Sequence, residues 1–110
     1  MISEQAFVHP NAEIGKNVTI DAFAYIDENV VIGDGTHIYP HATVLSGARI
    51  GKNCNIFPGA VISAIPQDLK FIGEETTAVI GDSTTIRECA TVNRGTASKG
   101  TTIVGSNCLI

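Results

Sequence analysis

The chain predicts an all-β fold, a parallel β-helix wound as a three-sided prism, and three regularities carry that reading. An aliphatic residue recurs at every sixth position from Val8 through Ile14, Ile20, Ile26, Ile32, Ile38, Val44, Ile50 and Ile56 to Ile62. The same phase resumes at Ile80, Ile86, Val92, Val104 and Ile110. A period of six fits neither an amphipathic helix nor an alternating strand, and it is the signature of a hexapeptide solenoid. Counted from the aliphatic residue, the fifth position is small or compact: Ala12, Val18, Ala24, Val30, Thr36, Ala42, Ala48, Cys54 and Ala60, then Thr84, Ala90, Thr96 and Cys108. The fourth position is mostly Asn or Gly: Asn11, Asn17, Asn29, Gly35, Gly47, Asn53, Gly59, Gly95 and Asn107. Those two residue types tolerate positive φ, so the fourth position is the natural corner.

Each repeat therefore reads as a short strand followed by a bend. Three bends close a coil of about eighteen residues with the aliphatic side chain pointing inward. Val8, Ile14 and Ile20 start the first coil; Ile26, Ile32 and Ile38 the second; Val44, Ile50 and Ile56 the third; Ile62 opens a fourth. Stacking sets Ile on Ile and Val on Val, which suits β-branched side chains. One coil buries little alone, so stability comes from its neighbours. The 110 residues make a single domain over 1–110, with room for about five to six coils. The absence of Trp and the scarcity of aromatics agree with a narrow interior.

The phase breaks between Ile62 and Ile80, where its positions hold Asp68 and Glu74. Neither belongs unpaired in an apolar prism. The chain is expected to leave the column near 66–78, and again near 98–102 around Ser98-Lys99-Gly100. Solenoids place such insertions on one face, often the binding face, although a tolerated surface excursion fits the spacing equally well.

Outward-facing residues sort by prism face. The face of Val8, Ile26, Val44 and Ile62 carries Phe7, Tyr25, Leu45 and Val61. The next, of Ile14, Ile32 and Ile50, carries Gly15, Gly33 and Gly51 with Glu13 and Arg49. The third, of Ile20, Ile38 and Ile56, carries Tyr39 and Phe57, with Phe23 at its corner. Exposed apolar residues thus gather on two adjoining faces, which points to a subunit contact.

Composition narrows the function classes. A net charge of −4 without a basic stripe argues against a nucleic-acid partner. No stretch approaches a membrane span, and the start of the chain lacks a basic region followed by an apolar run, so a cytoplasmic location is expected. Cys54 and Cys108 sit at the small fifth position as fillers, too far apart along the column for a disulfide. His37 and His41 flank one corner and point to different faces, so with His9 they make no ligand set, and no metal site is expected. Arg49, Arg87 and Arg94 read as solvated charges that an acidic partner would meet. The chain stops at Ile110, on a core position without a polar cap. The expectation is that it is the front part of a longer protein or that something covers its end.

Three segments together resemble one enzyme family: Ala6-Phe7-Val8-His9-Pro10, Pro66-Gln67-Asp68-Leu69-Lys70, and Ile86 to Thr96 with its Arg-Glu and Asn-Arg-Gly-Thr runs. The family is the acyl-carrier-protein–UDP-N-acetylglucosamine O-acyltransferases, which open lipid A biosynthesis. The resemblance spans all 110 residues, less than half of a typical member. It implies a left-handed β-helix assembled as a homotrimer with active sites between subunits. It also implies a reaction. A histidine takes the proton of the glucosamine 3-hydroxyl, the alkoxide attacks a hydroxyacyl thioester carried on the phosphopantetheine of acyl carrier protein, and a backbone N–H stabilises the oxyanion. Neither a dissociable cofactor nor a metal is implied. By the resemblance Gln67 and Asp68 contact the sugar nucleotide, and Lys70 is a nearby basic position suited to a phosphate or the donor. The catalytic histidine is expected beyond Ile110, and Asn93 stands where some members carry histidine, so the 110-residue chain alone is expected to be inactive.

Two other readings remain open from the sequence. A carbonic-anhydrase-like hexapeptide trimer would need histidines converging on zinc across an interface. A structural solenoid would assemble through its ends and would have no need of loops.

Overall fold

The computed structural model describes residues 1–64, 76–95 and 100–110. Within them short strands follow one another: β1 (Phe7–Val8), β2 (Glu13–Ile14), β3 (Thr19–Ile20), β4 (Tyr25–Ile26), β5 (Val31–Ile32), β6 (His37–Ile38), β7 (Thr43–Val44), β8 (Ala48–Ile50), β9 (Asn55–Ile56), β10 (Val61–Ala64), β11 (Thr77–Ile80), β12 (Thr85–Ile86), β13 (Thr91–Asn93) and β14 (Thr101–Val104). Every third strand returns to the same face. The first face orders β1-β4-β7-β10-β13, the second β2-β5-β8-β11-β14, and the third β3-β6-β9-β12. All pairings are parallel, and the faces are those the outward residues predict.

The aliphatic seam is the core. Ile20, Ile38, Ile56 and Ile86 stack up the third face, each 0% exposed. Backbone bonds fix their spacing: Asp21 N–H donates to Ile38 C=O and Tyr39 N–H to Ile56 C=O, both at 2.9 Å. Burial fades toward the ends, where Val8, Ile14 and Val104 are half-buried and Ile110, though in phase, is exposed.

Regular coils pair residues eighteen apart, as Phe7 with Tyr25. Arg49 pairs with Val79, thirty residues on, and Val79 with Ile103, twenty-four on. The two departures thus consume twelve and six residues beyond a regular coil, both multiples of the repeat, which is why the phase survives them. Fourteen described strands, with the parallel bridges of Ile2 to Ile20 and of Leu109 to Thr85 extending the third face, make a little over five coils at three elements per coil, within the five to six expected. Thr77 and Ala78 already belong to β11, and Thr101 and Thr102 to β14.

The corners follow position as much as residue type. Asn17, Asn29, Asn53, Asn107, Gly35, Gly47 and Gly59 bend with positive φ as expected, and so do Phe23, His41, Ser83 and Cys89, whereas Asn11 and Gly95, also at the fourth position, do not. A left-handed backbone costs a non-glycine residue roughly 1–2 kcal/mol. Phe23 and His41 occupy successive coils of one corner, and their rings stack at 5.4 Å.

The glycines after the second face serve spacing. The nearest atoms to a Cβ on Gly33 would be backbone atoms of Gly51, at 2.6 Å. A polar seam runs beside them inside the core. Buried Thr36 donates its hydroxyl to Gly51 C=O (2.7 Å) and accepts from Cys54 N–H (3.1 Å). Thr84 repeats the pattern with Gly105 C=O (2.6 Å) and Cys108 N–H (3.2 Å). Between them the Cys54 thiol points at Gly81 C=O, and burial pushes its pKa up. Thr36→Val keeps the shape but orphans a partly buried carbonyl and a buried N–H. It is expected to lower unfolding free energy by about 1–3 kcal/mol in urea denaturation, and a loss below about 0.5 kcal/mol would refute the role given to the hydroxyl.

Candidate functional site

Both departures leave from one edge of the prism, between the first face and the second. The segment between β10 and β11 and that between β13 and β14 each join those two faces. Rigid strands therefore deliver both insertions to the same place, as a binding edge requires.

Their stems are tied together. Ser63, 1% exposed, has φ 68 and lies at a register shift: Ile62 pairs with Val92, but Ala64 pairs with Asn93. Its hydroxyl donates to Ser46 C=O at 2.7 Å. Arg94 N–H donates to Ala64 C=O and Gly95 N–H to Thr77 C=O, both at 2.9 Å. Thr77 N–H in turn donates to Gly100 C=O at 3.1 Å, and Thr77 Oγ1 to Thr101 Oγ1 at 2.8 Å. The exit of one segment is thus bonded to the entry of the other. Gly95 permits this, since a Cβ there would sit 2.3 Å from Thr101 N.

A cavity of about 220 Å³ opens beside this knot, lined by Asp27, Leu45, Ser46, Ser63 and Arg94. It offers one carboxylate, one guanidinium, two hydroxyls and an apolar wall, a set suited to a polar organic group. Arg94 Nε is buried, and the buried Thr76 Oγ1 has no hydrogen-bond partner among the described residues, a kind of exception found at functional sites. Gln67, Asp68 and Lys70 fall in 65–75, outside the described residues. The described residues that flank them, Ala64 and Thr76, belong to this same edge. Sequence reasoning missed Ser63 and Ser46, whose only signal is a lone polar residue beside a core position.

Elsewhere several polar side chains are engaged within the chain. His37 Nε2 lies 2.6 Å from Asp21 Oδ2, and its ring stacks on Tyr39 at 3.8 Å. Tyr39 leans on Phe57, and the Arg87 guanidinium covers Phe57 at 4.3 Å. Arg87 also pairs with Glu88, whose carboxyl is held below the usual range by its own backbone N–H first and then by Arg87. Arg49 is not the solvated charge expected of it. It clamps a corner, donating to Asn29 C=O and Asn29 Oδ1, both at 2.7 Å. Among the described residues no group of three or more His, Cys, Asp or Glu could hold a metal ion. No described helix is long and apolar enough to cross a membrane.

The exposed aromatics are fewer than expected, because Tyr39 and Phe57 are covered by their neighbours. Phe7, Tyr25 and Phe23 remain exposed on the first face and at its corner with the third, and Phe7 stacks on Tyr25 at 5.0 Å.

The bacterial transferase hexapeptide (six repeats) family matches residues 11–46 and 29–64. An acyl-[acyl-carrier-protein]–UDP-N-acetylglucosamine O-acyltransferase of Aliivibrio fischeri is 60% identical over 100% of the chain and 45% of its own length. A UDP-N-acetylglucosamine acyltransferase structure from Bacteroides fragilis superposes with TM-score 0.99 at 63% identity, covering 100% of the chain and 43% of its own. The Francisella novicida enzyme gives TM-score 0.97 at 44% identity, covering 100% of the chain and 41% of its own. The column is accordingly a left-handed parallel β-helix. The chain spans under half the length of the relatives it matches.

Proposed function

The chain belongs, over the part it spans, to the acyl-[acyl-carrier-protein]–UDP-N-acetylglucosamine O-acyltransferases, and we propose that it is the sugar-nucleotide-facing part of such an enzyme. The reaction moves a 3-hydroxyacyl chain from acyl carrier protein to the glucosamine 3-hydroxyl of UDP-N-acetylglucosamine, the first step of lipid A biosynthesis. One observation carries this reading: a 60% identical match over the whole chain, on a column whose two departures share one edge.

The chemistry divides between this chain and the rest of the enzyme. A histidine beyond Ile110 takes the 3-hydroxyl proton. The oxygen then attacks the thioester carbonyl, the C–S bond breaks, and the phosphopantetheine thiolate leaves and is protonated. This chain supplies Gln67 and Asp68 to hold the sugar nucleotide and Lys70 to meet a phosphate or the donor. Proton removal of this kind contributes about 10²–10⁴-fold. A homotrimer in the cytoplasm is part of the same reading, and the exposed Phe7, Phe23 and Tyr25 support a subunit contact there.

In the product of the complete coding sequence, Asp68→Ala is expected to lower kcat/KM for UDP-N-acetylglucosamine about 10–100-fold, the loss of a hydrogen bond to a charged group. The 110-residue chain alone is expected to give no turnover above a buffer blank. An Asp68→Ala enzyme with wild-type kcat/KM, or turnover by the chain alone, would refute the assignment of roles.

A further inference from the structure

We propose that Ser63 is a positioning residue for sugar-nucleotide binding: its left-handed backbone, held by the hydroxyl bond to Ser46, aims the stem from which the chain leaves the column. The proposal rests on the acyltransferase reading and deepens it.

Ser63 stands outside the logic of the corners. The repeat puts bends at the fourth position, and Ser63 directly follows the core residue Ile62, yet its φ is 68. It is also the extra residue of the register shift between Ile62 and Ala64. A bulge of this kind bends a strand and re-aims the residues beyond it, and bulges are over-represented beside active sites. The surroundings hold the bend in place. Ser63 Oγ donates to Ser46 C=O at 2.7 Å, and Ala64 C=O accepts from Arg94 N–H at 2.9 Å. A Cβ on neighbouring Gly47 would come within 3.1 Å of that hydroxyl, so the glycine there leaves it room. Strained φ persists where the surroundings over-determine it, and such residues cluster at ligand clamps. Four residues on, by the resemblance, comes Gln67, the first of the sugar-nucleotide contacts. A displacement near 1 Å at a stem is enough to change how such contacts meet their ligand.

The test uses the product of the complete coding sequence with UDP-N-acetylglucosamine and a 3-hydroxyacyl thioester on acyl carrier protein. Ser63→Ala is expected to raise KM for the sugar nucleotide about fivefold and Ser63→Val about tenfold, with kcat and KM for the acyl donor within about twofold. Ser63→Gly, free to take the same φ, is expected to return KM to within about threefold of wild type. Ile20→Val, in the first coil, serves as a control that lowers thermal stability and leaves KM unchanged. If Ser63→Val fails to fold, Ser63→Ala decides. An unchanged KM in folded Ser63→Ala overturns the positioning role while the acyltransferase reading stands. Absence of turnover by the wild-type protein overturns both.

Discussion

Gly33→Val is expected to destabilise the column by on the order of 3 kcal/mol, the upper end of what overpacking costs. The reason is space rather than conformation, since Gly33 does not bend with positive φ. Its added Cβ would lie 2.6 Å from the Gly51 carbonyl carbon, 2.7 Å from the carbonyl oxygen and 2.9 Å from Lys52 N. Neither backbone can retreat easily. Gly33 N–H is bonded to Ile50 C=O at 2.8 Å, Gly51 N–H to Ile80 C=O at 2.9 Å, and Gly51 C=O to the Thr36 hydroxyl. Gly105→Ala provides the contrast, because its nearest neighbour would be Cys108 Sγ at 3.6 Å, ordinary contact. That change is expected to stay within about 0.5 kcal/mol. Guanidinium denaturation of both variants measures the difference. Equal midpoints would mean that the coils do not pack as closely at this corner as the structure has them.

The same glycines mark where sequence reading reached and where it stopped. Their alignment on one face is legible from the period of six, since Gly15, Gly33 and Gly51 follow consecutive aliphatics of that face. Their cause is not, because it lies in the coil above, in the backbone of Gly51 for Gly33 and in Asp34 and Asp82 for Gly15 and Gly51, which the spelling of one repeat does not describe. The core was legible for the opposite reason. Ile20, Ile38 and Ile56 each respond to the same local demand, an inward branched side chain, so the demand is repeated in the letters. Corners were half legible. Asn and Gly advertise a positive φ, but Phe23, His41, Ser83 and Cys89 take it because the column imposes it on whatever residue stands there. At the candidate site the break at Asp68 was visible as a charge on a core phase. The knot of Ser63, Arg94, Gly95 and Thr77 was not, since its members come from separate segments of the chain and have no shared spacing. Gln67, Asp68 and Lys70 came from resemblance alone.

Ile38→Ala is expected to cost about 4 kcal/mol, toward the high side of the 2–5 kcal/mol seen for such truncations. The size of that loss depends on whether neighbours can collapse into the space. Here they cannot. Ile38 is 0% exposed and sits in register between Ile20 below and Ile56 above. The ladder bonds Asp21 N–H to Ile38 C=O and Tyr39 N–H to Ile56 C=O hold the three coils at fixed spacing. Closing the void would mean breaking them. The position along the column matters as well, because each coil gains its stability from two neighbours in the middle and from one at an end. Ile14→Ala, at a half-buried site in the first coil, should therefore cost distinctly less than Ile38→Ala. Ile103, 69% exposed and out of phase, should tolerate alanine within about 0.5 kcal/mol. The ordering Ile38, then Ile14, then Ile103 in urea midpoints is what a stacked aliphatic seam requires. An Ile38→Ala variant no less stable than Ile103→Ala would show that the seam does not hold the coils together.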